Sequence, residues 1–277
     1  MTYDGRDFAG WQVQPDRQTV QGLLGDALSR LFGTPVGVTG AGRTDAGVSA
    51  WGQVAHADLP EGSSLPVDRI PRILNTRLPK SLRILDCQGV PSSFHARHSA
   101  RGKIYRYAFR RLPAPLDHHP LLTPFSTPLP PAFSLARAKE AAEYFIGTHD
   151  FRHFSVTSSL PEDSTRRIDR ILWEESQAGV VLWVTGPGFL HKMVRMVGGY
   201  LLEAAEGHRS LTEISGLLKK SSPPPFRAIA PLPPAGLSLA RVLYDHDPFD
   251  PRAQTCYPSD HATPDLPPVK GGTDSHG

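Results

Sequence analysis

Between residues 104 and 110 the chain alternates two kinds of side chain, and this pattern limits its possible folds more than any other. Successive side chains of an extended strand point to opposite faces, so the aromatic and basic residues here separate by face. One face carries Tyr105, Tyr107 and Phe109, and the other carries Arg106 and Arg110. A strand with one apolar face is typical of antiparallel sheets whose other face is open. The segment therefore predicts a strand in such a sheet.

Helical and extended patterns alternate along the rest of the chain without the regular rhythm of parallel sheets. Thr19 is a candidate N-cap for a helix with apolar side chains at helical spacing from Val20 to Leu31. Ser134 is a candidate N-cap for a second helix, which ends by Gly147. Further helices are predicted at 67–75, 189–205 and 211–219, and strands at 36–39, 53–57, 82–86, 167–174, 179–185 and 236–244. The predicted fold class is α+β with largely antiparallel sheets.

A short polar turn, Pro91-Ser92-Ser93, is a boundary signal. We therefore divide the chain into an N-terminal α+β half, residues 1–92, and a C-terminal α+β half, residues 93–247. Residues 248–277 are rich in Pro, Asp, Gly, Ser and Thr and have little to bury, so this tail is predicted to be disordered.

Basic residues are concentrated before the tail. From residue 245 onward the chain has six Asp against one Arg and one Lys, a net charge of −4. Residues 1–244 have 28 Lys and Arg against 21 Asp and Glu, a net charge of +7, although the whole chain has only +3. Residues 87–116 contain six basic residues and no acidic one. Such a surface suits a phosphate-rich partner, and a solvated patch explains it equally well.

The composition indicates where in the cell the protein is located and whether it binds a metal. No apolar run approaches the roughly 20 residues that a membrane helix needs, and the N-terminus lacks the layout of a signal peptide. The two cysteines, Cys87 and Cys256, are too few for a disulfide framework, which favours a reducing, cytoplasmic location. No metal site is predicted, because no Cys pair or Glu-rich helix accompanies the closely spaced histidines.

A glycine-rich run over residues 40–56 holds one carboxylate, Asp45, two residues after Arg43. Glycine tolerates positive φ, so such a run can bring its backbone close to a ligand. Taken alone, a lone Asp in this setting is typically a turn or helix-cap residue that bonds its own backbone. The spacing by itself therefore favours the turn interpretation.

Several short motifs in a fixed order change that interpretation. They are Tyr-Asp-Gly (residues 3–5), Phe-Ala-Gly-Trp-Gln (8–12), Gln-Thr-Val-Gln (18–21), Gly-Arg-Thr-Asp-Ala-Gly-Val (42–48), Phe-His-Ala-Arg (94–97), Tyr-Arg-Tyr (105–107), Phe-Leu-His-Lys-Met-Val-Arg (189–195) and Gly-Leu-Ser-Leu (236–239). Each motif is weak alone. In this order, over residues 3–244, the set resembles the A-type tRNA pseudouridine synthase family.

The resemblance assigns roles to particular residues. It implies that Asp45 is the catalytic nucleophile and that Arg195 holds its carboxylate ionised and aimed. It implies that Tyr105 stacks on the target uracil. Arg43 is placed either to fill the gap left by a flipped base or to grip a neighbouring phosphate. Further RNA contacts are expected from Arg97, Arg101, Lys103, Arg106, Arg110 and His191.

The same resemblance implies an architecture and a partner. The pseudouridine synthase fold has two related α+β halves that share a central sheet, with helices on one side and an RNA-binding cleft on the other. The expected substrate is tRNA, at uridines 38, 39 and 40 of the anticodon stem-loop. The expected enzyme is an isomerase without a cofactor, and a homodimer across which one tRNA lies.

Two positions depart from the family pattern, and other functions stay open. The apolar strand that family members usually have before Tyr-Asp-Gly is reduced to Met1 and Thr2, and Ser49 stands where the family commonly has His. These departures suggest an RNA-binding homologue with impaired catalysis as one alternative, and a synthase for other RNA uridines is another. A hydrolase that cleaves a glycosidic bond ranks last, because no second carboxylate accompanies the motifs.

Overall fold

One long strand crosses the middle of the molecule and organises the sheet around it. The computed structural model describes residues 1–111, 125–176, 179–220, 224–225, 227–245 and 249. The central strand is β6 (Ala100–Arg110), which confirms the predicted strand and extends it at its start. It pairs antiparallel with Gly179–Gly186 on one edge and with Leu237–Tyr244 on the other.

Within the described residues, eight strands form one sheet. In chain order the twelve described strands are β1 (Thr2–Tyr3), β2 (Thr39–Gly40), β3 (Ser49–Ala50), β4 (Ala55–His56), β5 (Leu82–Arg83), β6, β7 (Thr127–Pro128), β8 (Gly147–Asp150), β9 (Thr165–Ile168), β10 (Arg170–Ser176), β11 (Gly179–Gly186) and β12 (Leu237–Tyr244). The sheet order is β10–β11–β6–β12–β3–β1–β5, with β7 beside β6. Its pairs are antiparallel except β12 with β3 and β6 with β7. The α+β class with a largely antiparallel sheet is confirmed.

The β12–β3 pair joins the two proposed halves of the chain into one sheet. Ser238 lies opposite Ser49, and Leu239 lies opposite Ala50. The main-chain N–H of Trp51 also donates to the Leu239 carbonyl at 2.9 Å. The last described strand, β12, therefore fixes one edge of the segment that carries Asp45. The boundary at residue 92 stays a prediction.

Five α-helices lie in the described residues: α1 (Val20–Phe32), α2 (Ile70–Arg77), α3 (Leu135–Glu143), α4 (Met193–Ala205) and α5 (Leu211–Leu217). The predicted caps of α1 and α3 are confirmed. Thr19 Oγ1 accepts from the Gly22 N–H at 3.3 Å, and Ser134 Oγ accepts from the Arg137 N–H at 3.4 Å. No helix of the described part is long and apolar enough to cross a bilayer.

The two faces of β6 meet different surroundings, as the alternation predicts. Tyr107 is fully buried and stacks on Phe109, with ring centroids 4.9 Å apart. A Cβ built on Gly198 of α4 would lie 3.6 Å from Tyr107 Cδ1, so this face packs against α4. The other face carries a separate apolar cluster made only of strand residues: Ile104, Trp183 and Ala240, with Leu172, Val181 and Leu243 packed against them.

The predicted start of the 189–205 helix is wrong, because α4 begins at Met193. The His191 carbonyl accepts from the Val156 N–H at 3.4 Å and from the Ser155 hydroxyl at 3.2 Å. It therefore bonds to a distant segment rather than within the first turn of the helix. Lys192 follows with a φ of 60°, in the left-handed region that costs a lysine strain energy. Residues 189–192 therefore form a loop before the helix.

Several short strands are smaller than predicted. The predictions at 36–39, 53–57 and 82–86 correspond to the two-residue strands β2, β4 and β5. The predicted tail, residues 248–277, lies outside the described residues except for Phe249. Its disorder stays a prediction.

Candidate active site

The chain between β2 and β3 forms a tight loop that the N-terminal motif supports. The hydroxyl groups of Tyr3 and Thr44 lie 2.9 Å apart, and the Trp11 N–H donates to the Thr44 carbonyl at 3.0 Å. Gly10 has a φ of +99°, and a Cβ there would lie 2.8 Å from the Thr44 oxygen. Only glycine lets the two segments come this close. The N-terminal motif thus fixes the residue that precedes Asp45.

A buried glutamine holds the loop from its other side. The Gln53 side chain is 0% exposed and its amide donates to the Gly42 carbonyl at 2.9 Å. The Val48 N–H donates to the Asp45 carbonyl at 3.1 Å and closes the turn. With the main chain bonded at both ends, Asp45 presents a carboxylate that is 21% exposed. Sequence reasoning did not identify the supporting role of Gln53.

Arg195 in α4 reaches that carboxylate from 150 residues away in the sequence. Its Nη1 donates to Asp45 Oδ2 at 2.8 Å, and its side chain is 12% exposed. Its Nε donates to the Leu232 carbonyl at 2.7 Å, so the guanidinium is oriented at two points. Charge-assisted bonds of this kind are about twice as strong as neutral ones. The contact predicted between Arg195 and the Asp45 carboxylate is present.

The segment of residues 227–235, which we call the strap, runs along α4 and holds Arg195 in place. The Leu232 N–H donates to the Arg195 carbonyl at 3.1 Å. A Cβ on Gly199 would lie 2.5 Å from the Ala230 carbonyl oxygen, so the helix and the strap touch through backbone. Glycine at position 199 is therefore what admits the strap backbone this close to the helix. The Tyr107 hydroxyl donates to the Pro233 carbonyl, which ties the strap to β6.

His191 lies beside the second oxygen of the carboxylate. Its Nε2 is 3.7 Å from Asp45 Oδ1, and its Nδ1 is 2.8 Å from Ser159 Oγ. The sequence predicted His191 as an RNA contact on a helix, whereas the structure places it in the preceding loop with its ring facing Asp45. Its side chain is 44% exposed, so it also stays open to a ligand.

Tyr105 projects from the centre of β6 into the same region. It is 8% exposed, and its ring packs edge-on against Phe189 with centroids 5.2 Å apart. Burial raises the pKa of its phenol well above the ordinary value, and the nearby Asp45 charge acts in the same direction. The phenol is therefore protonated at neutral pH and offers a neutral ring face.

These groups line one cleft of about 1180 Å³. That volume exceeds the roughly 300–1,000 Å³ typical of small-molecule sites, so it accommodates more than an isolated base. The cleft brings together seven of the predicted residues: Asp45, Tyr105, Arg195, Arg43, Arg97, Lys103 and His191. It also includes polar residues to which sequence reasoning gave no role. Gln12 and Lys192 belong to the sequence motifs, whereas Gln14, Ser159 and Arg166 belong to none.

The predicted position of the cleft is wrong. We expected it on the side of the sheet opposite the helices. Lys103 and Tyr105, which line it, lie on the same face of β6 as Tyr107, which packs against α4. The cleft therefore opens on the helix side, between α4 and the Asp45 loop.

Three predicted RNA contacts lie away from this cleft. Arg106 lies on the opposite face of β6, over the rings of Trp51 and Trp183 at 4.7 and 6.0 Å. Arg110 is buried and donates to the Ser126 carbonyl. Arg101 is exposed and pairs with an aspartate after β12. Strand alternation accounts for the first two, because even-numbered side chains of β6 point away from Tyr105.

Ser49, which departs from the family pattern, has a local partner. Its Oγ accepts from the Gly5 N–H at 3.0 Å. The hydroxyl therefore ties β3 to the N-terminal motif. Within the described residues, no group of three or more His, Cys, Asp or Glu side chains is arranged to hold a metal ion.

A sequence model described as tRNA pseudouridine synthase matches residues 1–99 and 141–245. The matched ranges make up well over half of the chain and contain both Asp45 and Arg195. The chain belongs to the tRNA pseudouridine synthase family. Tyr105 lies between the two ranges that the tRNA pseudouridine synthase model matches. Its predicted role as the residue that stacks on the uracil therefore depends on its place in the cleft.

Named relatives agree with this membership over nearly their whole length. A protein of Akkermansia muciniphila named tRNA pseudouridine synthase A is 43% identical over 260 residues, or 89% of this chain and 94% of that protein. A protein of the same name from Halalkalibacterium halodurans is 39% identical, over 80% of this chain and 83% of its own length. One from Brevibacillus brevis is 38% identical, over 88% of this chain and 97% of its own length.

Proposed function

We propose that this chain isomerises uridine to pseudouridine at positions 38, 39 and 40 of the tRNA anticodon stem-loop, with Asp45 as nucleophile. The observation that carries the proposal is the 2.8 Å bond from Arg195 to Asp45 in a cleft that also contains Tyr105. The family match and the names of the relatives support tRNA as the substrate class.

The reaction suits a single aimed carboxylate. It breaks the bond between C1′ and N1, turns the uracil, joins C1′ to C5 and exchanges the C5 proton for one on N1. The carboxylate can attack the base, attack C1′ or remove a sugar proton, and each route needs a charged oxygen. Arg195 occupies Oδ2, which leaves Oδ1, beside His191, to face the substrate.

Tyr105 is the platform for the uracil in this proposal. Its phenol is neutral at neutral pH, and burial raises its pKa further, so its ring stacks on a base without charge repulsion. The edge-on contact with Phe189 keeps the ring orientation fixed. The target base therefore lies between Tyr105 and the Asp45 carboxylate.

Arg43 lines the cleft two residues before the nucleophile. A uridine in a stem must leave its stack to reach Asp45, at a cost of a few kcal/mol. We assign Arg43 either to the gap that the flipped base leaves or to the neighbouring phosphate. Arg97, Lys103 and Arg166 make the cleft walls basic, which suits the RNA backbone.

We also propose that two copies of the chain form a homodimer in the cytoplasm, where its tRNA substrate is available. Ile104, Trp183 and Ala240 are themselves buried, but the strand residues packed against them are partly exposed: Leu172, Val181 and Leu243. This apolar strand cluster includes no helix residue, so this sheet face is suited to a second copy. A two-fold dimer would bury the same patch on both copies. One tRNA would then contact both subunits.

The deciding experiment is carbodiimide mapping of pseudouridine in tRNA incubated with the protein. We expect new carbodiimide stops at positions 38, 39 or 40 with the wild-type chain. The Asp45→Asn variant should give none while it still binds tRNA, because the amide keeps the shape and loses the charge. A wild-type chain that binds tRNA without producing stops would support the RNA-binding homologue, and stops elsewhere would change the target.

A further inference from the structure

We infer that Lys103 is the anion-binding residue of the active site and holds the backbone phosphate next to the flipped uridine. This inference rests on the proposed function for the identity of the RNA. The inference gives Lys103 a different role from that of the exposed basic residues, which attract RNA over a wide surface. The ligand group assigned to it is one phosphate diester.

Lys103 is a buried cation with few partners. It is only 8% exposed, yet its side chain lines the cleft. Its Nζ donates to the Pro187 carbonyl at 3.4 Å, a long bond that leaves two N–H groups of the ammonium for a ligand. None of the ion pairs in the described part of the chain includes Lys103, whereas Asp45 is already paired with Arg195.

The charges around Lys103 favour an anion over a neutral carbonyl. Burial lowers the pKa of its ammonium, and the charge of Arg97 lowers it further. Two like charges near each other in a partly dehydrated site repel, and a negative group between them offsets both. A uracil oxygen is only a dipole and leaves both charges uncompensated. A phosphate carries the full charge that the site lacks.

The position of Lys103 fits the neighbour of a stacked base. Lys103 and Tyr105 lie on one face of β6, two residues apart, which is about 6.4–6.8 Å along a strand. A base on Tyr105 therefore has its own backbone within reach of the ammonium. The stem of Lys103 passes under Gly42 of the Asp45 loop, where an added Cβ would lie 3.1 Å from Cε. This contact holds the ammonium at a fixed distance from the catalytic loop.

The test changes the RNA and the protein together. Anticodon stem-loops are prepared with one neutral methylphosphonate in place of each phosphate that flanks the target uridine. Wild type, Lys103→Met and Lys103→Arg are compared on every RNA by kcat/KM for pseudouridine formation and by RNA affinity. Lys139→Met, which removes an exposed lysine of α3, is the matched control.

We expect Lys103→Met to lower kcat/KM about 10- to 100-fold on the natural RNA, the range for a charge-assisted bond. One of the methylphosphonates should lower the wild-type value similarly but add less than about twofold to the Met variant. Lys103→Arg should recover most of the activity, because it keeps a charged donor. Lys139→Met should match wild type.

Two results would overturn the inference. One is a methylphosphonate effect that is the same in wild type and in Lys103→Met at both positions, since independent losses mean that the ammonium does not bind that phosphate. The other is a Met variant that matches wild type on the natural RNA. If the wild-type chain makes no pseudouridine, the proposed function fails, and the affinities on the same RNAs still decide about Lys103.

Discussion

The contact between α4 and the strap offers a direct test of how Arg195 is aimed. Gly199→Ala adds one methyl group where its carbon would lie 2.5 Å from the Ala230 carbonyl oxygen. Ordinary carbon contacts lie at about 3.5–4 Å, so the helix and the strap must move apart by roughly 1 Å. The same strap offers the Leu232 carbonyl to Arg195 Nε at 2.7 Å. The substitution therefore acts through backbone on Arg195 and Asp45, the proposed catalytic pair.

Two opposing contributions determine how much Gly199→Ala changes the stability. Alanine is more favourable than glycine inside a helix by about 0.8–1 kcal/mol. Overpacking costs about 1–3 kcal/mol, so we expect Gly199→Ala to change the free energy of unfolding by about 0 to −2 kcal/mol. Loss of a charge-assisted bond to Leu232 is worth about 1.5–3 kcal/mol, which corresponds to a rate lower by about 10- to 100-fold.

Gly198→Ala is the matched control on the same helix. The nearest atom to a Cβ at Gly198 is Leu232 Cδ1 at 3.1 Å, the end of a side chain that can rotate away. We expect this variant to keep its activity and to gain up to about 1 kcal/mol in stability. The assay is the release of tritium from C5 of labelled tRNA in single turnover, alongside thermal unfolding. A Gly199→Ala variant as fast and as stable as Gly198→Ala would refute the reasoning.

Two further predictions concern stability and assembly. Burial raises the pKa of Tyr3 to about 12 from 10.0, so the folded chain keeps this phenol protonated at a higher pH than the unfolded chain does. The stability that the phenol contributes is therefore fully present below pH 10 and is lost as the pH rises from 10 to 12. Tyr3→Phe should reduce this alkaline loss in melts at pH 9 and pH 11, and equal slopes in the two proteins would contradict the assignment. For the dimer, Leu172→Asp should place a charge on the apolar strand cluster and shift sedimentation to the monomer, and an unchanged dimer mass would exclude that face.

Local patterns were sufficient to predict much of the fold. Helix α1 follows from its apolar spacing and from the Thr19 cap, both of which depend on residues near in sequence. The split of β6 into an aromatic and a basic face also follows from alternation alone. The location of Arg106 against two Trp rings does not, because it depends on β3 and β11, which lie far away in the chain.

The site was predictable where motifs marked it and not where distant segments shape it. Asp45 and Arg195 were identified by resemblance, and the structure brings them to 2.8 Å. The helical start at residue 189 was wrong because the His191 carbonyl bonds to Ser155 and Val156, partners that no helical periodicity reveals. Lys192 in a left-handed conformation is a consequence of the same tertiary contacts. The side of the sheet on which the cleft opens was likewise set by packing rather than by pattern.

The parallel pairing of β3 with β12 has a consequence for how the protein is made. A ribosome releases the Asp45 loop early, but the strap and β12 emerge only near the end of the chain. Until then β3, the strand that follows the Asp45 loop, can pair only with β1, and Arg195 lacks the Leu232 carbonyl that orients it. A chain cut short before residue 227 therefore carries the three predicted catalytic residues but lacks both β12 and the Leu232 carbonyl that orients Arg195. Because β12 is the last described strand, the sheet beside the Asp45 loop is completed only after all three predicted catalytic residues have been synthesised.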